Sequence, residues 1–367
     1  MRVLLVSSFV LPHAGGVEQF VAAIRERLED HTYEVRVLAC RRPGEDTTAD
    51  AVVPARYLGA AGWPLPTGGA RTLDRELGRT DVIVANNALH PLPAGAVLAG
   101  RRRGVPALMV IHGSGEAQRG GPRGIGAGRA AVRRTISHTA VRRSLPVSVS
   151  RVGVAGVQRE YGVPAAYLPY PLPELPVPAA TRLADGEELR VMWTGRLARE
   201  KDPLLAVRAV EGLWATRPAR LDMYGDGPLR PALEALAGER PWLSLHGARP
   251  WPEVLDAHER THTCLSTSGW DNVQVAVLEA LARGVPVVST RVGDAPGYYR
   301  VPSLGRFCVA SGNAQALAEA LGRLAASYAE HRRAFAENGR QLAAVHRDAP
   351  RILIELIARV SGRASAR

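Results

Sequence analysis

The chain has 367 residues, 46% apolar and 22% charged, too long for one ordinary core and suited to two domains that each bury a full one. Its formal charge of +12 comes from 46 arginines and one lysine against 35 acids. Aromatics make up only 5% of the chain and do not interleave with the basic cluster of Arg101, Arg102, Arg103, Arg119, Arg123, Arg129, Arg133, Arg134, Arg142 and Arg143, which speaks against a base-stacking nucleic-acid surface.

The opening run Met1-Arg2-Val3-Leu4-Leu5-Val6 breaks into Ser7-Ser8 without a small-residue cleavage pattern, so it reads as a strand and not as a signal peptide. No apolar run approaches the length of a membrane span. Cys40, Cys264 and Cys308 are too scattered for a disulfide framework or a zinc site, which fits a reducing cytoplasm.

Strands are predicted at Arg2 to Ser7, Glu34 to Ala39, Asp81 to Ala85, Pro106 to Ile111 and Pro146 to Val149, with helices between most of them. In the first helix Val17, Phe20, Val21, Ile24 and Leu28 recur at helical spacing and face the sheet, while Arg25, Glu26 and Glu29 face water. The loop Pro12 to Gly16 leads into it. A basic helical stretch, Gly128 to Arg143, reads first as a solvated face. Attraction to anionic lipid headgroups or steering of an anionic substrate are its functional alternatives.

From Pro169 to Gly186 repeated prolines preclude ladder hydrogen bonds and helix interior, marking a linker. The alternation then restarts with a strand at Leu189 to Thr194, a helix at Pro203 to Leu213, a strand at Arg220 to Tyr224 and a helix at Pro228 to Ala237. Strands at Leu243 to His246 and Thr261 to Ser266, a helix at Val275 to Arg283 and a strand at Val285 to Thr290 follow. Helices are predicted at Ala314 to Ala325 and Ala329 to Val345, before an apolar terminal segment, Ile352 to Ile357. This gives a first domain over 1–170, a linker over 171–187, a second domain over 188–345, and a C-terminal helix over 346–367 expected to pack back across the junction. The fold class is α/β, with two Rossmann-like, doubly wound parallel sheets whose ligand-binding strand ends face a cleft.

Four pieces of sequence converge on those strand ends. Gly15-Gly16 precedes the first helix, where missing Cβ atoms and a helix N-terminus favour an anionic ligand. A tight turn explains the pair equally well, and the absence of Gly-x-Gly-x-x-Gly speaks against a dinucleotide cofactor. Arg196 and Lys201, the one lysine, follow the second domain's first strand, where two cations suit a diphosphate. An Arg196–Glu200 ion pair is the alternative.

In the run from Ser266 to Val288, Asp271 lies at a helix mouth and Glu279 about two turns in. A buried glutamate there needs partners, and a pair of ribose hydroxyls can satisfy it. The N–H groups near Val275 suit sugar hydroxyls and phosphate oxygens. A helix cap at Asp271 and a solvent-facing Glu279 are the alternatives. Last, His112-Gly113-Ser114-Gly115-Glu116 ends a strand of the first domain, and a lone histidine is either structural or at the reaction centre.

Taken in order over nearly its whole length, the chain resembles the family 4 retaining glycosyltransferases of GT-B fold. The matching passages are Pro12 to Gln19, His112-Gly113, Val147 to Pro169, Thr194-Gly195-Arg196 to Lys201, Gly225-Asp226-Gly227-Pro228, and Trp270-Asp271 to Thr290. The resemblance implies that Gly16 contacts the donor diphosphate, Arg196 and Lys201 neutralise it, and Glu279 binds the ribose. It also implies that Asp271 and the groups after it, Asn272 and Val275 among them, bind the donor sugar, that His112 lies beside that sugar, and that Arg249 lies close to the nucleobase. The chain departs from the family pattern at Asp271-Asn272-Val273-Gln274, where glutamate and glycine are usual, and at Tyr170-Pro171, where Asn-Gly usually follows the proline.

The expected activity is transfer of a hexosyl group from a nucleoside-diphosphate sugar, UDP ahead of GDP, to an acceptor hydroxyl with the anomeric configuration retained, in carbohydrate or natural-product biosynthesis. No Asp-x-Asp motif is present, so Arg196, Lys201 and helix-terminal N–H groups are expected to stabilise the leaving diphosphate with no metal and no other cofactor. The acceptor is expected to be a small molecule, a lipid or a glycan. The expected location is the cytoplasm, with peripheral contact at the inner face of an anionic membrane. A sugar-nucleotide epimerase of the same fold and a donor-binding, non-catalytic partner subunit are the alternatives.

Overall fold

In a computed structural model of the chain, the residues described are 1–11, 15–41, 44, 47–58, 63–113, 127–172, 175, 177–178 and 181–362, the side chains of 127–131 excepted. Expectations resting on Pro12 to Ala14, Ser114 to Glu116, Arg119, Arg123 and the Arg129 side chain lie outside them. The chain forms two compact units, Met1–Pro171 with His346–Arg367, and Leu172–Val345.

In the first unit the elements run β1 (Arg2–Ser7), α1 (Gly16–Glu29), β2 (Glu34–Arg41), β3 (Ala51–Leu58), β4 (Trp63–Pro66), α2 (Ala70–Leu77), β5 (Val82–Asn86), α3 (Pro91–Arg102), β6 (Ala107–Ile111), α4 (Ala127–Arg142), β7 (Leu145–Ser148), α5 (Arg151–Tyr161) and β8 (Ala166–Tyr167). The strands form one sheet in the order β4-β3-β2-β1-β5-β6-β7-β8, parallel except for the antiparallel β3–β4 pair at one edge. Every residue of β5 and β6 is buried, as expected of central parallel strands covered on both faces. On α1 the buried residues are Glu18, Phe20, Val21, Ile24 and Leu28, most of the face its periodicity assigns, while Val17, expected on that face, is only half-buried.

The β3–β4 hairpin was not expected. β4 reads Trp-Pro-Leu-Pro, a composition that argues against a strand except at an edge, where the missing N–H groups cost no ladder bond. That is where it lies.

The second unit runs β9 (Leu189–Thr194), α6 (Pro203–Trp214), β10 (Ala219–Tyr224), α7 (Arg230–Glu239), β11 (Leu243–Gly247), α8 (Trp251–Ala257), β12 (Thr263–Ser266), α9 (Val275–Ala282), β13 (Val287–Thr290), α10 (Ala295–Tyr298), β14 (Cys308–Val309), α11 (Ala314–Ala326) and most of α12 (Tyr328–Arg347). Its six strands are all parallel, in the order β11-β10-β9-β12-β13-β14. α6 buries Leu205, Val207, Val210 and Leu213, and α11, burying Leu317, Leu321 and Leu324, packs against it. α13 (Ala349–Val360) belongs to the first unit, where it packs on α1 and β6 with Leu353, Leu356 and Ile357 buried.

Candidate active site

In the second unit the loops after β9 and β12, adjacent strands of one sheet, are bonded to each other at their C-terminal ends. The Trp193 indole donates to Thr267 Oγ1 at 3.0 Å, and the Thr267 hydroxyl lies 3.0 Å from the Lys201 carbonyl and 2.7 Å from that of Asp202. The backbone N–H groups of Gly269 and Trp270 reach the Glu200 carbonyl at 2.9 and 3.3 Å. This stitching brings Lys201 Nζ within 2.5 Å of Asp271 Oδ2, across 70 residues of chain. The two residues singled out from separate motifs therefore form one charged pair.

Asp271 does not cap α9. Its Oδ1 accepts from the N–H of Asn272 at 3.0 Å, and the residue before the helix is Gln274, which makes no side-chain cap bond. Gln274 instead clamps the loop, accepting from Ser266 Oγ at 2.5 Å and donating to the carbonyls of Thr290 and Val292 at 3.2 and 3.3 Å. Asn272 is buried, and its carbonyl accepts from the N–H of Asp294 at 3.0 Å. Val275 is the first residue of α9.

Glu279 lies in the second turn of α9, 9% exposed, which removes the solvent-facing alternative. Its Oε1 accepts from the Trp251 indole N–H at 3.0 Å. Burial pushes the carboxyl up to about 7, only partly offset by that N–H and by the charge of Arg283. A carboxyl raised this far by burial makes Glu279 a candidate functional group.

Arg196 is more than half exposed and ion-pairs with Glu200, the alternative weighed for it. An exposed pair of this kind contributes little to stability and leaves the guanidinium able to exchange partners. Arg249 donates to the His246 carbonyl at 3.0 Å and lies 3.9 Å from Glu253. Beside it the His246 ring stacks on Tyr224 at 4.5 Å and donates to Asp222 at 2.7 Å.

In the first unit His112 follows β6, and its Nε2 lies 2.6 Å from Asn86 Oδ1 at the end of neighbouring β5. The protons can be placed. Ser7 gives its single hydroxyl proton to the Phe9 carbonyl at 2.7 Å, so it accepts from Asn86 Nδ2 at 3.2 Å. That turns Asn86 Oδ1 towards His112, whose Nε2 therefore carries the ring proton. Burial lowers His112 to about 4, keeping the imidazole neutral.

His112 also packs edge-on against Phe20 of α1 at 4.8 Å. Gly15 caps α1 in extended backbone, and Gly16 opens the helix. The Gly16 carbonyl accepts from the Tyr170 hydroxyl at 2.8 Å, and the Tyr170 carbonyl accepts from His346 Nδ1 at 2.8 Å. Tyr170, which stands where the family pattern has asparagine, thus fixes the end of the first unit's β-rich segment to the start of α1. Trp251, Asn86, Ser7 and Thr267 escaped sequence reasoning because their contacts are long-range hydrogen bonds, which no local spacing reports. Among the described residues no group of three or more His, Cys, Asp or Glu side chains is arranged to hold a metal ion.

Two α/β units built on parallel sheets give the architecture of the GT-B glycosyltransferases, and the sequence profiles agree. Residues 14–168 match the profile "Glycosyltransferase Family 4" and residues 188–327 the profile "Glycosyl transferases group 1". The chain belongs to glycosyltransferase family 4.

Sucrose-phosphate synthase from Thermosynechococcus elongatus superposes with a TM-score of 0.76 at 18% identity, covering 99% of this chain and 100% of that one. HepE from Anabaena, in complex with UDP and glucose, superposes with a TM-score of 0.75 at 13% identity, covering 97% of this chain and 99% of that one. In sequence, sulfoquinovosyl transferase SQD2 of Arabidopsis thaliana is 31% identical over 117 residues, which is 31% of this chain and 22% of that relative's length.

Proposed function

We propose that the protein transfers a sugar from a nucleoside-diphosphate sugar, UDP ahead of GDP, to an acceptor hydroxyl, with retention of configuration and without a metal. The carrying observation is the Lys201–Asp271 pair, bonded at 2.5 Å at the strand ends of the second unit, in the unit that also buries Glu279. HepE, of the same fold, is described with UDP and glucose, which supports UDP as the first donor to test.

In this reading Lys201, held in place by Asp271, and Arg196, released from Glu200, take the diphosphate oxygens as negative charge develops on them. Asp271, Asn272 and the N–H groups at the start of α9, Val275 included, hold the donor sugar, Glu279 holds the ribose, and Arg249 lies towards the base. In the first unit the reading assigns Gly15 and Gly16 to the diphosphate. It assigns His112, neutral and oriented by Asn86, to a sugar hydroxyl. The acceptor oxygen attacks the anomeric carbon on the face the diphosphate leaves. The C–O bond to phosphate breaks as the new one forms, and the departing phosphate oxygen takes the acceptor proton.

The test is product analysis by NMR with UDP-glucose, and with other UDP- and GDP-sugars, against small-molecule and lipid acceptors in the presence of EDTA. The expected result is acceptor-dependent product carrying the donor's anomeric configuration. Lys201→Ala is expected to lower kcat by about a hundred- to a thousandfold, the range for loss of one donor to developing charge. Inverted product would overturn the retaining mechanism, and a new sugar nucleotide formed without acceptor would indicate an epimerase.

A further inference from the structure

Glu279 has two carboxylate oxygens, and the donor each already has decides how much of it is left for a ribose hydroxyl. Oε1 accepts from the Trp251 N–H at 3.0 Å, a bond between the first residue of α8 and the middle of α9, 28 residues apart in the chain. Among the described residues no protein donor reaches Oε2. The geometry points to Trp251 as the positioning residue for Glu279: its indole N–H holds one carboxylate oxygen and fixes the rotamer, so that the other oxygen, free of protein donors, is presented to the donor ribose. This rests on the donor-site reading above.

The arrangement has a chemical logic. An ionised carboxylate on a predominantly apolar helix needs donors, and an indole N–H is a donor with no acceptor capacity, so it can only favour the charged form. The charged group facing Glu279 is Arg283, one turn further along α9. That guanidinium is itself committed, donating to the Leu255 carbonyl at 2.7 Å and lying 3.5 Å from His258 Nδ1, with Asp256 and Glu259 as its acidic neighbours. Burial and Arg283 hold His258 neutral, so it adds no charge. Trp251 is thus the one direct donor that these elements supply to the carboxylate. Ribose hydroxyls, which donate, should bind the ionised form, and removing the indole N–H should raise the pH at which that form appears.

The experiment is calorimetric titration with UDP over a range from about pH 6 to pH 9 on wild type, Trp251→Phe, Glu279→Gln and Trp251→Phe/Glu279→Gln. Each Glu279→Gln protein removes the carboxyl while leaving the titration of the nucleotide's own phosphates. The expected result for wild type, relative to Glu279→Gln, is affinity that rises with pH through about 7. For Trp251→Phe the rise moves up by about one pH unit, weakening binding about five- to tenfold near neutrality, with recovery at the alkaline end. In the Glu279→Gln background Trp251→Phe is expected to have no further pH-dependent effect.

Unchanged or tighter binding by Trp251→Phe would overturn the proposal, tighter binding showing that the indole blocks the ribose. Carbon-13 titration of the Glu279 carboxyl in wild type and Trp251→Phe provides a ligand-free readout, and an unmoved midpoint would overturn the positioning role. Absence of UDP binding by folded wild type, with a shifted carboxyl midpoint in the variant, would overturn the donor reading and the ribose part of this inference while leaving the Trp251–Glu279 coupling standing.

Discussion

Glu279, proposed to hold the donor ribose, also bears on stability. Its carboxyl is raised from an ordinary value of 4.5 to about 7 by burial, so between those pH values the folded chain holds a proton that the unfolded chain has released. Stability is therefore lost as pH rises through this window, and above about pH 7 the buried charge exerts its full penalty, about 3 kcal/mol for a change of that size. Glu279→Gln is expected to be more stable than wild type at about pH 8, by up to that amount, with the gap closing towards about pH 4.5. Urea unfolding at the two pH values measures it, and equal stabilities at alkaline pH would contradict the assignment. Such a gain would be that of a site kept at the expense of the fold, in line with the proposed role of Glu279.

The places of Lys201 after β9, Asp271 after β12 and Glu279 within α9 were legible in the sequence, because each sits at a fixed offset from a strand or helix end. That Lys201 and Asp271 touch was not legible, since 70 residues separate them. Nor was the proton arrangement from Ser7 through Asn86 to His112, which depends on the C-terminal ends of three neighbouring strands, β1, β5 and β6, meeting in the sheet.

At the scale of elements, the strand-end loops of the second unit are held at close quarters. Gly225, just after β10, has φ +138°, and a Cβ there would run into the Gly195 backbone of the loop after β9. The same loops exchange Gly195 N–H to the Tyr224 carbonyl at 3.0 Å and Leu197 N–H to the Asp226 carbonyl at 2.9 Å. Gly225→Ala is therefore expected to destabilise the protein by about 1–3 kcal/mol through strain and clash. It is also expected to weaken nucleotide binding by displacing Arg196 and Lys201. Thermal unfolding with and without UDP checks both, and a variant with wild-type stability and binding would show that the loops tolerate separation.

Central elements were the readable ones: β1 and β9 have the bounds that their apolar runs give, and α6 and α11 differ from expectation by one residue. The edge hairpin β3–β4 and the short α2 were missed, because prolines and polar residues at a sheet edge carry no periodic signal. α7 begins at Arg230, two residues after the predicted Pro228.

On the whole-molecule scale, the net charge of +12 is unevenly used. Arg103 pairs with Asp74, and the Arg133 guanidinium lies over the Trp63 ring at 5.1 Å. Arg142, the last residue of α4, and Arg143 after it are exposed, as are Val132 and Ile136 on the same helix, at 60% and 38%. Residues 132 and 136 share a helix face. No helix among the described residues is long and apolar enough to cross a membrane. We propose that this basic, partly apolar face makes peripheral contact with anionic lipid, on the cytoplasmic side. The expected outcome is cosedimentation with vesicles rich in anionic lipid at low ionic strength, release at high ionic strength, and loss in Val132→Ser/Ile136→Ser. Binding insensitive to that double substitution would leave only a solvated basic face.

The most direct test of the central claim, a nucleoside-diphosphate site built on Lys201 and Asp271 in the second unit, is calorimetric titration of wild type and Lys201→Ala with UDP and GDP, with and without magnesium. The expected result is magnesium-independent binding of one nucleotide by wild type, UDP ahead of GDP, weakened about tenfold or more in the variant by loss of a charge-assisted contact. Equal affinities in the two proteins, or binding of neither nucleotide by folded wild type, would contradict it.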